Sequence, residues 1–293
     1  MDDYVQGLER AEAWWMLDVQ RELSENLPDL YPYLAVGLVG DGSDAFGYDD
    51  AVSADHDSQT RLVVWYPEGT GAVAERVAAS VHLEDNQRID CHEIHAFYSR
   101  YTGTEFAPHT WQEWYAIPEH NLAAATNGRV FYDGGGRFTR YREVLSGFYP
   151  DDVRRKLIEK RALIMGQAGQ YNYGRCLRHG EPVAANLALA RFAEAAISMM
   201  FLLNRRYTPY YKWAHRALRE LPIGGLRVAE LLAEAFGAPS ATREIEEISA
   251  LVVQELRVQG LSDRKGDFLV DHARTIRSLI IEPDLREMNS WKN

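Results

Sequence analysis

The segment that most constrains the fold lies between residues 34 and 66. Leu34-Ala35-Val36-Gly37-Leu38-Val39 is a short apolar run of the kind that forms a buried strand. Gly42-Ser43 follows and opens a turn at which a helix can start. The loop from Asp44 to Ala54 ends in Asp55-His56-Asp57, and Leu62-Val63-Val64-Trp65-Tyr66 reads as a second apolar strand. Side chains alternate across a strand, so Asp55 and Asp57 are expected on one face, with α-carbons roughly 6.5–7 Å apart. Two carboxylates that close repel unless a cation lies between them. Hard oxygen ligands suit Mg2+, which binds through one or two carboxylates plus substrate phosphates. Two such ions clamp the attacking and leaving oxygens of an in-line displacement at phosphorus. Gly42 lets backbone approach a phosphate, and the Ser43 hydroxyl with the N–H groups of a helix start binds phosphate oxygens.

The chain changes character near Phe148-Tyr149-Pro150-Asp151-Asp152. Before it, short β-branched runs alternate with Gly and Asp turns. After it, long helical patterns dominate. Residues 4–27 read as an amphipathic helix closed by Pro28 and Pro32, and strands are expected over 34–39, 61–66 and 88–97. A helix is expected over 72–81 and another over 120–126. Residues 111–114 fit either state, and 129–132 form a short strand. The run Gly134-Gly135-Gly136 reads as a connection, because no helix is expected directly behind it. In the second half, helices are expected over 151–177, 183–204, 208–221, 226–236, 240–259 and 263–281, joined by short breaks as in a helical bundle. The fold class is α+β: a mixed sheet with flanking helices over 1–148, then an α-helical bundle over 149–293.

Hydrophobic residues make up 46% of the 293 and charged residues 26%, an ordinary globular balance. The net charge of −11 disfavours stable nucleic-acid binding, which needs clustered Lys and Arg. Cys91 and Cys176 form no metal spacing and no disulfide framework, so a reducing cytoplasm is the simplest setting. The acidic N-terminus is wrong for a signal peptide. No apolar run is expected to reach the ~20 residues of a membrane span.

Gly42-Ser43 followed by Asp55-x-Asp57 resembles the signature of the DNA polymerase beta-like nucleotidyltransferase superfamily. A second segment narrows the likeness: Phe201-Leu202-Leu203-Asn204-Arg205-Arg206-Tyr207-Thr208-Pro209-Tyr210-Tyr211-Lys212-Trp213. With Gly47-Tyr48-Asp49-Asp50 it resembles bacterial proteins in which a nucleotidyltransferase domain precedes a helical domain like that of kanamycin nucleotidyltransferase. Ser58-Gln59-Thr60, directly after the Asp pair, departs from that pattern.

The resemblance implies transfer of a nucleoside monophosphate, AMP from ATP, to a hydroxyl of a small-molecule acceptor, with two Mg2+ ions and release of pyrophosphate. It implies Asp55 and Asp57 as metal ligands, and Gly42 and Ser43 on phosphate. It also implies a third carboxylate from a later strand, where Asp90 and Glu93 compete. Their strand parity is opposite, so only one faces the metals; the family pattern favours Glu93. Lys212 and Arg205 are the candidate triphosphate ligands of the helical domain, against a plain ion-pair network. His56, His92 and His95 are expected to be structural. A homodimer fits, and neither a membrane nor a nucleic acid is an expected partner. Two other readings stay open: an antitoxin-like enzyme that adenylylates a protein, and a nucleotide-binding regulator without turnover.

Overall fold

The computed structural model describes residues 5–50 and 59–291. Asp55, His56 and Asp57 lie outside the described residues. The chain divides into two compact units, Met1–Gly147 and Phe148–Asn293.

The first unit is built on a four-stranded mixed sheet in the order β3-β2-β1-β4. β1 is Ala35–Leu38, β2 Thr60–Tyr66, β3 Gln87–Glu93 and β4 Arg129–Asp133. β1 pairs antiparallel with both β2 and β4, while β2 and β3 run parallel. The parallel pair requires a crossover, which the helix Val73–Ser80 supplies. β1 is buried along its whole length, and Leu62, Val63, Val64 and Trp65 of β2 are buried with it, as their apolar runs demand.

Register assigns the two faces. Trp65 pairs with His92, and its ring stacks on Phe138 with centroids 4.0 Å apart and meets Phe97 edge-on at 5.3 Å. The face carrying Arg61, Val63 and Trp65 is therefore covered by the helices Ile94–Thr102 and Arg137–Ser146. Gly37 sits where β1 and β4 close on each other: a Cβ there would lie 2.3 Å from the Arg129 carbonyl oxygen. The register of β1 on β4 shifts at this point.

Three expectations change in this unit. The strand expected over 88–97 ends at Glu93, and Ile94–Thr102 is a helix. Phe97, Tyr98 and Tyr101 are the reason: at spacings of one, three and four they form one buried helical face. Residues 111–114 belong to a helix, Trp111–Ala116, opened by a capping box between Thr110 and Glu113. The triple glycine does lie between a strand and a helix, because Arg137–Ser146 follows it. It remains a connection nonetheless. The Asp133 carboxylate already accepts the Thr139 N–H at 2.8 Å and so occupies the start of that helix.

The second unit is entirely helical among its described residues. A continuous helix covers 151–178 and passes through a π-helical stretch, Met165–Tyr173. Pro182–Leu203, Tyr211–Leu218, Gly225–Gly237, Thr242–Val258, Leu269–Ser278 and Pro283–Glu287 follow. The helix expected over 263–281 starts only at Leu269. Pro182–Leu203 corrects the expectation about apolar length: its 22 residues are long and apolar enough to cross a membrane, although 67% of its most apolar window is buried within the structure. The fold is α+β, with the sheet in the first unit and helices alone in the second.

Packing at Gly37 yields a direct test. Gly37→Ala forces the β1–β4 backbones apart and is expected to cost about 1–3 kcal/mol, the range for overpacking a tight site, read as a lower midpoint in urea unfolding.

Candidate functional site

β1 leads into the turn Gly40-Asp41-Gly42-Ser43, and the turn opens a single helical turn, Ser43–Phe46. Gly42 adopts φ 117°, where a side chain is strained; a Cβ there would also meet the Asp44 carboxylate at 2.3 Å. Glycine at 42 therefore follows from the way the chain must bend to place Asp44.

Several elements brace this turn. Arg61, near the start of β2, donates from Nε and Nη2 to the two Asp44 carboxylate oxygens at 3.1 and 3.0 Å. The same Nη2 donates to the Asp41 carbonyl at 2.6 Å. Only 15% of the Arg61 side chain and 24% of the Asp44 side chain are exposed, so the pair is shielded from the screening that weakens surface ion pairs. The Asn127 side chain accepts the Gly40 N–H at 2.8 Å and donates to the Gly40 carbonyl at 2.7 Å. Arg142 in turn donates to the carbonyls of Thr126 and Asn127, both at 2.7 Å. The Tyr101 hydroxyl donates to the Asp41 carboxylate at 3.2 Å and accepts the Asp41 N–H at the same distance. Burial, then the Asp41 charge, pushes the Tyr101 phenol up to about 12.

Among the described residues, the N–H groups of Gly42 and Ser43 and the Ser43 hydroxyl have no hydrogen-bond partner. Three donors thus sit on a turn whose other polar groups are tied down, an arrangement suited to an anion.

Register places Asp90 and Glu93 on opposite faces of the sheet. Asp90 pairs with Val63, two residues along from Arg61, and shares the Arg61 face. Glu93 pairs with Tyr66 on the opposite face, where its charge helps raise the Tyr66 phenol behind the larger effect of burial. Asp90 therefore shares the face of Arg61, whereas Glu93, the carboxylate favoured by the family pattern, lies on the other. Asp90 is paired with Arg88 at 3.2 Å. His92 shares this face; burial and then Arg100 hold its imidazole below the ordinary histidine value, against the opposing charge of Asp90. Cys91 points the other way, and burial, reinforced by the Asp90 and Glu75 charges, pushes its thiol up to about 12. Among the described residues no group of three or more His, Cys, Asp and Glu side chains is placed to hold a metal ion.

The two cations expected in the helical unit have local partners. Arg205 donates to the Asp151 carboxylate at 3.0 Å, and this bond is the main reason the Asp151 carboxyl lies below its ordinary value. Arg205 itself has φ 50°, a left-handed backbone. The Lys212 ammonium sits 4.9 Å from the centroid of the Trp213 ring. The cluster of Arg61, Asn127, Tyr101 and Arg142 was not foreseen from the sequence. Arg61 alone carried a signal, as a charged residue at the mouth of an apolar strand.

Residues 114–214 match the family model described as "Domain of unknown function (DUF4037)". That match leaves out residues 42–93. No curated protein matches the chain. Among solved structures the chain is similar to a nucleotidyltransferase-like protein from Exiguobacterium sibiricum 255-15, at 12% identity over 92% of this chain and 89% of that one, with a TM-score of 0.35. So loose a likeness leaves the functional reading to the residues themselves.

The Tyr101 contact has a pH signature. Its folded value of about 12 exceeds the ordinary tyrosine value of 10.0, so this stabilisation is complete below pH 10 and is lost as pH rises through about 12. Tyr101→Phe is expected to remove one late-titrating phenol from the tyrosinate absorbance curve and to flatten the alkaline loss of stability.

Proposed function

We propose that the chain is a metal-dependent nucleotidyltransferase acting on a hydroxyl of a small-molecule acceptor. The observation that carries the reading is the set of undonated N–H and O–H groups at Gly42 and Ser43, clamped by Arg61 on the face that also bears Asp90. Asp55 and Asp57, from the connection between the clamped turn and β2, complete the proposed carboxylate set.

The donor chemistry fits a hard divalent cation. Residues 1–147 hold 25 Asp and Glu against 10 Arg and no Lys. Eight of those arginines, at 10, 61, 76, 88, 100, 129, 140 and 142, already bond protein carboxylates or carbonyls. A triphosphate brought to this unit therefore meets few uncommitted cations. Asp55, Asp57 and Asp90 are the residues that would hold Mg2+, which supplies charge neutralisation at the phosphates when bound. Gly42 and Ser43 bind and orient phosphate oxygens, and Arg61 keeps their turn rigid so that no reorganisation is needed as charge develops. The acceptor oxygen attacks the α-phosphorus, pyrophosphate leaves, and a carboxylate on the Asp90 face takes the acceptor proton. ATP is the proposed donor.

The test is calorimetric titration with ATP, CTP, GTP and UTP, with and without Mg2+, on the native chain and on Asp57→Ala. Metal-dependent binding of one nucleotide, lost in the variant, is the expected result; binding that survives Asp57→Ala sinks the proposal. Once an acceptor is in hand, Asp90→Asn is expected to lower kcat by about 10²-fold or more, and Glu93→Gln by far less. The reverse order would return the third carboxylate to Glu93.

A further inference from the structure

A cleft of about 490 Å3 lies wholly within the helical unit and takes no part in the site above. Ala190, Ala193, Glu194 and Ile197 recur at helical spacing along Pro182–Leu203 and form one wall. Pro209 and the helix Tyr211–Leu218 supply the second wall, and Gly225–Gly237 the third. Each wall presents alanine, at 190 and 193, at 214 and at 233, where a leucine or phenylalanine would fill the space between the helices. The cavity is thus a consequence of side-chain size, and every residue on its lining is a described one.

Its chemistry is one-sided. Tyr211 and Phe236 line it while 75% and 60% exposed, so large aromatic surface stays in water at the mouth of an apolar space. Glu194 is the one side chain of full charge on the lining, and no Lys or Arg joins it there. Among the described residues the Glu194 carboxylate makes no hydrogen bond and no ion pair, and Arg191, one turn earlier on the same helix, does not reach it. His215 has its Nε2 3.0 Å from the Ala229 carbonyl oxygen. A carbonyl only accepts, so Nε2 carries the proton, and the neutral ring keeps an acceptor at Nδ1. The cleft therefore offers apolar and aromatic surface with a negative charge, and no cation.

We infer that this cleft binds a small apolar ammonium ion, an aromatic or alkyl amine in its protonated form, with the hydrocarbon between the helices and the ammonium on Glu194. Shape and charge argue together. An anion would meet Glu194 unopposed, a sugar-like amine would leave the alanine, Ile197 and Leu232 surface without apolar contact, and an uncharged hydrocarbon would gain nothing from the carboxylate. A cation held beside Tyr211 and Phe236 also gains from the negative faces of their rings. The inference stands apart from the chemistry proposed at Gly42 and Asp90.

The experiment measures binding to the full chain by saturation-transfer NMR and calorimetry at constant ionic strength. The probes are phenethylammonium, phenethyl alcohol, phenylacetate and ethanolamine. Phenethylammonium is expected to bind saturably, the alcohol about tenfold more weakly, and the other two without saturation. Glu194→Gln is expected to weaken the ammonium about tenfold, the loss produced by removing one charge-assisted hydrogen bond, and to leave the alcohol unchanged. Ala233→Phe, at an exposed position on the lining, is expected to abolish binding of both by filling the cleft. Asp57→Ala is expected to bind as the native chain does, and its failure to do so would move the ammonium to the first unit. No binding of phenethylammonium, alcohol and ammonium equal in the native chain, or ammonium binding unaltered in Glu194→Gln or Ala233→Phe overturns the inference. So does sedimentation of the native chain as a dimer that Ala233→Phe dissociates, which would give the cleft to a second copy of the chain.

Discussion

The Arg61 guanidinium, bonded at once to the Asp44 carboxylate and the Asp41 carbonyl, closes the long connection between β1 and β2 at its base. Without that closure the turn after β1 would be a loop of polar residues in an acidic unit, with nothing to fix where Gly42 and Ser43 present their donors. A shielded bond of this kind is worth about 1.5–3 kcal/mol, enough to populate one turn geometry over its competitors. The Asn127 amide and the Tyr101 hydroxyl act on the same few residues from the other side. The turn is thus held from β2, from the helix Ile94–Thr102 and from the end of Glu119–Thr126 together.

What the sequence disclosed, it disclosed through periodicity. The apolar runs at 35–38 and 62–65 announced strands because they are short, rich in β-branched residues at 62–65 and bounded by turn residues, as strands of a sheet interior are. The break near Phe148 announced two units because the hydrophobic period changes there. Legibility failed where two periods overlap. Cys91-His92-Glu93-Ile94-His95 alternates well enough to pass for a longer strand, and only the aromatic residues beyond it reveal a helix. The helix Arg137–Ser146 carries Phe138, Tyr141 and Leu145 at helical spacing, but three preceding glycines masked its start.

The candidate site was legible in its residue types and less so in its partners. Gly42 and Ser43 stand at a turn, as a Gly-Ser pair behind a strand should. Which face Asp90 and Glu93 each occupy needed the β2–β3 register, since parity says only that the two residues oppose each other. Arg61, Asn127, Tyr101 and Arg142 come from four separate stretches of chain. No local pattern links a tyrosine at 101 to a carboxylate at 41; their meeting is a property of the packed sheet and helices alone.

The helical unit solves a different problem with the same economy of means. Alanines along Pro182–Leu203 permit a close approach at some levels and an open channel at others, depending on what faces them. Its chemistry also differs from that of the first unit in a way that reaches the bench. Every lysine in the chain falls at residue 156 or beyond, and Lys156 is buried against Glu159. Modification of lysine side chains will therefore fall on the helical unit alone, because residues 1–147 carry no side-chain amine.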